Sequence, residues 1–267
     1  MPAQQSFTMI DDMADASNAQ RAALITGGGR RIGAAIAQAL ARSGYAVTLH
    51  ANKSRAEAEK LASSIVAQGG EARVVLGDLA DAAALPKIVA AAAAFGPLTL
   101  LVNNASEFDE DDVATLERAR FERTLSVNLT APLFLAQTFA AQAPAGADCS
   151  IVNILDQRVF KPTPRFFSYT LSKAALHTAT VTLAQALAPK IRVKGVAPGP
   201  TLPSPRQSPV HFAEQGRALP LGRGPAPEDV AAAVAYLAGA RSVTGTTIAV
   251  DGGQHLSWRT ADSDIPE

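Results

Sequence analysis

The sequence predicts an α/β protein built on a single parallel sheet with helices on both faces. Two observations predict it. Short apolar runs that read as buried strands alternate with helical periodicity from about Arg21 onward, the pattern of a parallel sheet covered on both sides. The alternation also runs without a break or an internal repeat, so 267 residues read as one domain. Right-handed crossovers then make the sheet doubly wound.

The elements follow in order. Residues 1–20 are polar, carry Asp11, Asp12 and Asp15, and read as a disordered tail unlike a secretory signal or a basic transit peptide. Ala22 to Thr26 is a short strand, a glycine cluster follows, and a helix covers Ile32 to Arg42 with Ile36, Ala39 and Leu40 on its apolar side. Tyr45 to Leu49 is the second strand. The next helix carries Ala56, Leu61 and Ile65 at helical spacing until Gly69-Gly70 stops it. Ala72 to Leu76 is the third strand, and Leu85 to Phe95 lies on an alanine-rich helix. Leu98 to Val102 is the fourth strand and ends at Asn103-Asn104. Helical segments between Leu116 and Gln142 lead to the strand Ser150 to Leu155. The helix bearing Tyr169 and Lys173 continues to about Leu187, and Ile191 to Val196 is the sixth strand. A helix over Glu228 to Leu237 and a strand over Thr246 to Val250 complete the domain, 21–267. Between them, 197–226 is proline-rich without clear periodicity, and so long a loop reads as a substrate-covering segment.

Bulk properties narrow the function. Lysine plus arginine and aspartate plus glutamate each number 24, so zero net charge gives no electrostatic reason to expect a nucleic-acid or membrane partner. The single cysteine, Cys149, allows no internal disulfide and no metal cluster. No apolar run approaches the ~18 residues that span a bilayer. A reducing, cytoplasmic setting is expected.

In sheets of this kind, ligands bind at the carboxyl ends of the strands. Thr26, Asn103, Asp156 and Pro198 all fall at or just after such ends and are expected to gather round one cleft. Thr26 to Gly33 (TGGGRRIG) lies between a strand and a helix, the context in which a glycine loop binds phosphate. Gly27, Gly28 and Gly29 permit positive φ and close approach to the backbone. The helix amino terminus at Arg31-Ile32 offers unpaired N–H groups, and Gly33 lets helix and strand pack closely. After the second strand, where an NAD site places an acid, stand Asn52, Lys53, Ser54 and Arg55. A cation there suits a 2′-phosphate, which favours NADPH. Asp78, with Leu79 beside it, follows the third strand and can accept a hydrogen bond from the adenine amine. Tyr169 and Lys173 stand one helical turn apart. A phenol has a reference pKa of about 10, and a nearby cation favours the phenolate and can lower that value.

With these pieces, residues Arg21 to Gln254 resemble the short-chain dehydrogenase/reductase family, whose domain is Rossmann-like. The matching motifs are the glycine loop, Asn103-Asn104-Ala105, Asn128 in Val-Asn-Leu, Tyr169 with Lys173, Pro198-Gly199, and Val250-Asp-Gly-Gly253. The resemblance implies that Tyr169 donates a proton, that Lys173 holds the nicotinamide ribose and tunes the tyrosine, and that Asn128 anchors a water of the relay. It implies that Pro198-Gly199 lines the nicotinamide pocket, and that the assembly is a homotetramer.

Two departures sharpen the reading. The family usually has glycine where Arg31 stands, and a serine where this chain has Asp156. That combination resembles the pteridine reductases within the family, as do Asn104-Ala-Ser106-Glu-Phe108 and the stretch His50 to Ser54. The physics agrees. A flat pterin can stack between Phe108 and the nicotinamide. The Asp156 carboxylate can accept from its amino and ring N–H groups, and Arg31 can bridge a cofactor phosphate and the pterin oxygen. Arg31, Ser106, Phe108, Asp156 and Tyr169 are thus the expected substrate contacts, and Asp156 assists Tyr169 in protonating a ring nitrogen. Two alternatives stand beside this one. The first is a reductase of a ketone or acyl thioester. The second is a non-catalytic NADP-binding sensor, less favoured because Tyr169, Lys173 and Asn128 are all present.

Overall fold

Strands form where apolar residues follow one another without a polar face, and they join into one sheet in a computed structural model that describes residues 21–204 and 206–259. The tail expected over residues 1–20 lies outside the described residues. The strands are β1 (Ala22–Ile25), β2 (Ala46–Ala51), β3 (Ala72–Leu76), β4 (Leu98–Asn103), β5 (Cys149–Ile154), β6 (Ile191–Pro198) and β7 (Thr247–Val250). All pair in parallel, in the order β3-β2-β1-β4-β5-β6-β7. The helices are α1 (Arg31–Arg42), α2 (Arg55–Ala67), α3 (Ala84–Ala93), α4 (Arg118–Leu125), α5 (Ala131–Gln142), α6 (Phe167–Leu187), α7 (Pro209–Arg217) and α8 (Pro227–Gly239).

Consecutive strand residues serve opposite faces, which is why both faces must be covered. Ile25, Val102 and Val152 pack with Ile36 and Leu40 of α1, Leu61 of α2 and Val234 of α8. Their neighbours Leu24, Leu101 and Ile151 pack with Ile88 of α3, Leu135 and Phe139 of α5 and Ala184 of α6 on the other side. Each fully buried Leu or Ile contributes roughly 1.5–3 kcal/mol. The chain leaves β1 for β2 and β3, then returns to place β4 on the other flank of β1. That reversal opens a crevice at the carboxyl ends of β1 and β4.

Two elements differ from expectation. The proline-rich segment is not without periodic structure: it contains α7. Ser208 caps that helix by accepting from the His211 N–H, and Pro209 takes the first helical position, where its missing donor costs nothing. The helical stretch before β5 is interrupted by a π-turn, Ser126–Thr130, centred on Asn128. Such turns often mark functional positions.

Candidate active site

One cleft of about 920 Å³ opens at the carboxyl ends of the strands. It is at the large end of the roughly 300–1,000 Å³ range of small-molecule sites. Of the residues expected round it, Thr26, Gly28, Gly29, Arg55, Asn103 and Asn128 do not line it, and the others do.

The cofactor end is built by the loop after β1. Gly27 has φ 61°, and a Cβ on Gly33 would stand 2.2 Å from the Gly27 carbonyl oxygen. Gly29 is turned the other way: its Cβ would meet Ala58 of α2 at 2.8 Å, so it serves packing of loop on helix. Thr26 and Asn104 lace the loop to the end of β4. The Thr26 hydroxyl oxygen accepts from the N–H groups of Asn104 and Ala105 at 2.9 and 3.0 Å, and the Asn104 amide donates to the Thr26 and Gly27 carbonyls. His50 is buried with both ring nitrogens engaged. Because the Gly27 N–H can only donate, Nδ1 accepts from it and Nε2–H donates to the Gly77 carbonyl. Burial lowers its pKa, in keeping with this neutral form. His50 therefore shapes the loop from behind. No side chain caps the first turn of α1, so its N–H groups remain free of side-chain partners.

Arg31 has φ 52°, the left-handed region where glycine is the unstrained choice. Its guanidinium donates to the carbonyls of Leu202 and Pro203 at 3.3 and 3.1 Å, tying the glycine loop to the segment after β6. Gly199 at the end of β6 permits close approach to β7, since a Cβ there would stand 2.8 Å from that of Asp251. Asp78 faces the cleft while bonded to Arg123 at 2.8 Å, and this bond is the main cause of its lowered pKa. Arg123 also holds Glu107 at 2.8 Å.

At the chemical centre, the Tyr169 hydroxyl donates to Asp156 Oδ2 at 2.9 Å. Lys173 is buried and donates to the Ile154 carbonyl at 2.8 Å, with Nζ 5.8 Å from the Tyr169 ring centre. Burial pulls Lys173 down to about 8 against a smaller upward pull from Asp156. The net shift of the tyrosine runs opposite to expectation, although Arg158 pulls it down. Burial first, and Asp156 second, raise the Tyr169 pKa well above 10.0. The phenol keeps its proton at neutral pH, the form a proton donor needs.

Asn128 lies behind the cleft. Its amide nitrogen donates to the Glu107 carbonyl at 2.9 Å and to Ser172 Oγ at 3.1 Å, and its oxygen accepts from the Glu107 N–H at 2.8 Å. It thereby pins the segment that carries Ser106 and Phe108. Asp111 ties the far end of that segment to the start of α6, accepting from the Ser168 N–H and hydroxyl. Phe108 stacks on Phe166 with centroids 4.3 Å apart and planes at 3°, and meets Tyr169 edge-on at 4.6 Å.

Sequence reasoning passed over Phe166, Arg158, Arg30 and Arg123, all of which line the cleft. Phe166 and Arg158 stood within three residues of Tyr169 and Asp156, a usable signal. Arg123 had none, because α4 reads as a solvated charged helix. Among the described residues no cluster of metal-ligating side chains occurs, and no helix is long and apolar enough to cross a membrane.

The sequence profile of the short chain dehydrogenase family matches residues 21–212, and the chain belongs to that family; it is an oxidoreductase. Among solved structures it is similar to FolM alternative dihydrofolate reductase 1 from Brucella canis, complexed with NADP: 49% identity, 93% of this chain and 98% of that one covered, TM-score 0.88. The corresponding Brucella suis protein, also in complex with NADP, is 50% identical over 90% of this chain and 97% of its own, with TM-score 0.87. Pteridine reductase 1 of Leishmania tarentolae is 32% identical over 88% of this chain and 96% of its own length.

Proposed function

We propose that the protein is an NADPH-dependent reductase of a pterin or dihydropterin. The observation that carries this reading is the Asp156 carboxylate bonded to the Tyr169 hydroxyl at 2.9 Å beside the Phe108 ring. A carbonyl substrate needs a hydroxyl donor at the Asp156 position, whereas an amino-heterocycle needs an acceptor. The similarity to two NADP-bound proteins described as dihydrofolate reductases, and to a pteridine reductase, supports it.

The residues present fit the cofactor. The Gly27 to Gly33 loop, whose glycines leave room for close approach, would hold the pyrophosphate at the start of α1. Arg30, Lys53 and Ser54 would take the 2′-phosphate, Asp78 and Leu79 the adenine, and Lys173, Ser106 and Pro198-Gly199 the nicotinamide side. NADPH, when bound, supplies a hydride to a ring C=N carbon. Tyr169 gives its hydroxyl proton to the adjacent ring nitrogen, so the C=N bond becomes CH–NH and the phenolate left behind lies beside Lys173. Asp156 orients the Tyr169 hydroxyl and accepts from substrate N–H groups. Arg31 would reach the pterin oxygen by exchanging its bonds to the Leu202 and Pro203 carbonyls, and the face of Phe108 away from Phe166 would take the ring. The reading includes a cytoplasmic homotetramer, which light scattering on the purified protein tests.

The deciding experiment is NADPH oxidation with 7,8-dihydrobiopterin, dihydromonapterin and dihydrofolate, beside a panel of ketones. Rapid turnover of a pterin is expected and ranks the substrates. Turnover of ketones alone would remove the pterin assignment and leave a short-chain ketone reductase.

A further inference from the structure

The turn after β5 carries more polar chemistry than a strand exit requires. Asp156 divides its carboxylate between two tasks. Oδ1 accepts from the Arg158 backbone N–H at 2.9 Å and caps the short turn Gln157–Val159. Oδ2 accepts both the Tyr169 hydroxyl at 2.9 Å and Arg158 Nη1 at 3.1 Å. The guanidinium carbon of Arg158 lies 5.5, 5.3 and 5.9 Å from the ring centres of Phe108, Phe166 and Tyr169. Its Nε is buried without a partner, as is Oε1 of the adjacent Gln157. A buried donor left unpaired is costly, so three aromatic rings and one carboxylate hold this arginine against that cost. An arginine serving only the turn would not need to lie at the wall of the cleft.

We propose that Arg158 is a positioning residue for the reduction: it fixes the Asp156 carboxylate against the Tyr169 hydroxyl and compensates its charge. The proton donor then meets the substrate in one orientation. The inference rests on the pterin reductase reading. Charged groups approach the pair from three elements: Arg158 from the turn, Lys173 from α6, and Arg206 from the segment after β6, the last at 5.7 and 5.8 Å from the Phe108 and Phe166 ring centres. Lys173 donates to Ile154 and Arg206 to the Phe108 carbonyl, so among the described residues Arg158 is the cation hydrogen-bonded to Asp156. An uncompensated anion beside a buried phenol would hold the proton too tightly to release it. Arg158 acts against that, pulling the Tyr169 pKa down while burial and Asp156 push it up.

The test uses Arg158→Met, Arg158→Gln and Arg158→Lys in the full chain. Arg158→Met is expected to bind NADPH as the unaltered protein does, and to lose about a hundredfold in kcat per folded molecule with 7,8-dihydrobiopterin, the low end of what a placed acid-base group contributes. Its solvent deuterium isotope effect on kcat should rise, because proton delivery becomes limiting. Arg158→Lys restores the charge and should recover about tenfold more kcat than Arg158→Gln, which restores only a neutral hydrogen bond. Calorimetric titration of 7,8-dihydrobiopterin into the NADP⁺ complex reads affinity apart from turnover, and that affinity should change far less than kcat. The inference is overturned if Arg158→Met keeps the original kcat, or if glutamine serves as well as lysine. It is equally overturned if the loss of kcat per folded molecule comes with an equal loss of affinity, which would make Arg158 a structural part of the turn. If the unaltered protein oxidises NADPH with no pterin, the functional reading itself falls, and this inference with it.

Discussion

Lys173 and Lys194 are both fully buried, and burial lowers both, to about 8 and about 7. Lys173 stands at the carboxyl ends of the strands, beside Tyr169 and Asp156. Lys194 projects from β6 toward the other end of the sheet, where it donates to Ser150 Oγ and the Leu237 carbonyl of α8. Its neighbour Arg192 is bonded to Asp148 at 2.6 Å and donates to the Ala238 and Ala240 carbonyls. Together they satisfy the carbonyls that a helix leaves open at its carboxyl terminus. A lowered lysine pKa thus does not by itself mark chemistry. The neighbours decide: a phenol and a carboxylate in an open cleft for one lysine, helix carbonyls in a closed core for the other.

Four measurements break or sharpen that contrast. Tyr169→Phe should lose about a thousandfold in kcat, within the range of acid-base catalysis, while an NADPH titration shows binding retained. Activity near the original would detach the chemistry from this end of the sheet. Arg192→Met should behave in the opposite way. Urea unfolding should show a loss of about 1–3 kcal/mol, the cost of leaving the α8 carbonyls without their buried donor, with kcat per folded molecule unchanged. Asp156→Ser is expected to reduce pterin turnover by about a hundredfold and to leave NADPH affinity alone; equal losses would contradict its assigned role.

The smallest effect is a pH dependence. Lys194 sits at about 7 when folded against an ordinary 10.5, so the unfolded chain binds the extra proton between those values. Its contribution to stability therefore rises with pH across that window. Lys194→Met should show a shallower rise than the unaltered protein, by up to about 1.4 kcal/mol per pH unit. Parallel stability curves for the two proteins would mean that Lys194 is not held in this way.

Much of the fold was legible because it depends on local pattern. The strand runs and the glycine loop were placed by residue order alone, with ends moved by one or two residues: β6 runs on to Pro198, and β5 begins at Cys149. The helix α7 was not seen, because its exposed sequence buries no apolar stripe against the core. In the site, Tyr169, Lys173, Asp156 and Arg31 stood out as residue types at meaningful spacing. Arg123 did not, since its partners Asp78 and Glu107 are 45 and 16 residues away in the chain.

The sequence by itself determined the parallel α/β architecture, the glycine loop and the pairing of Tyr169 with Lys173, because hydrophobic period, φ-permissive glycines and one-turn spacing are properties of neighbouring residues. Tertiary structure alone decided that the tyrosine pKa rises rather than falls, that Phe166 covers one face of Phe108, and that Arg158 shares the Asp156 carboxylate. Each of these depends on burial and on distances between segments that only the folded sheet brings together. Desolvation and charge act through space, and order along the chain does not contain them.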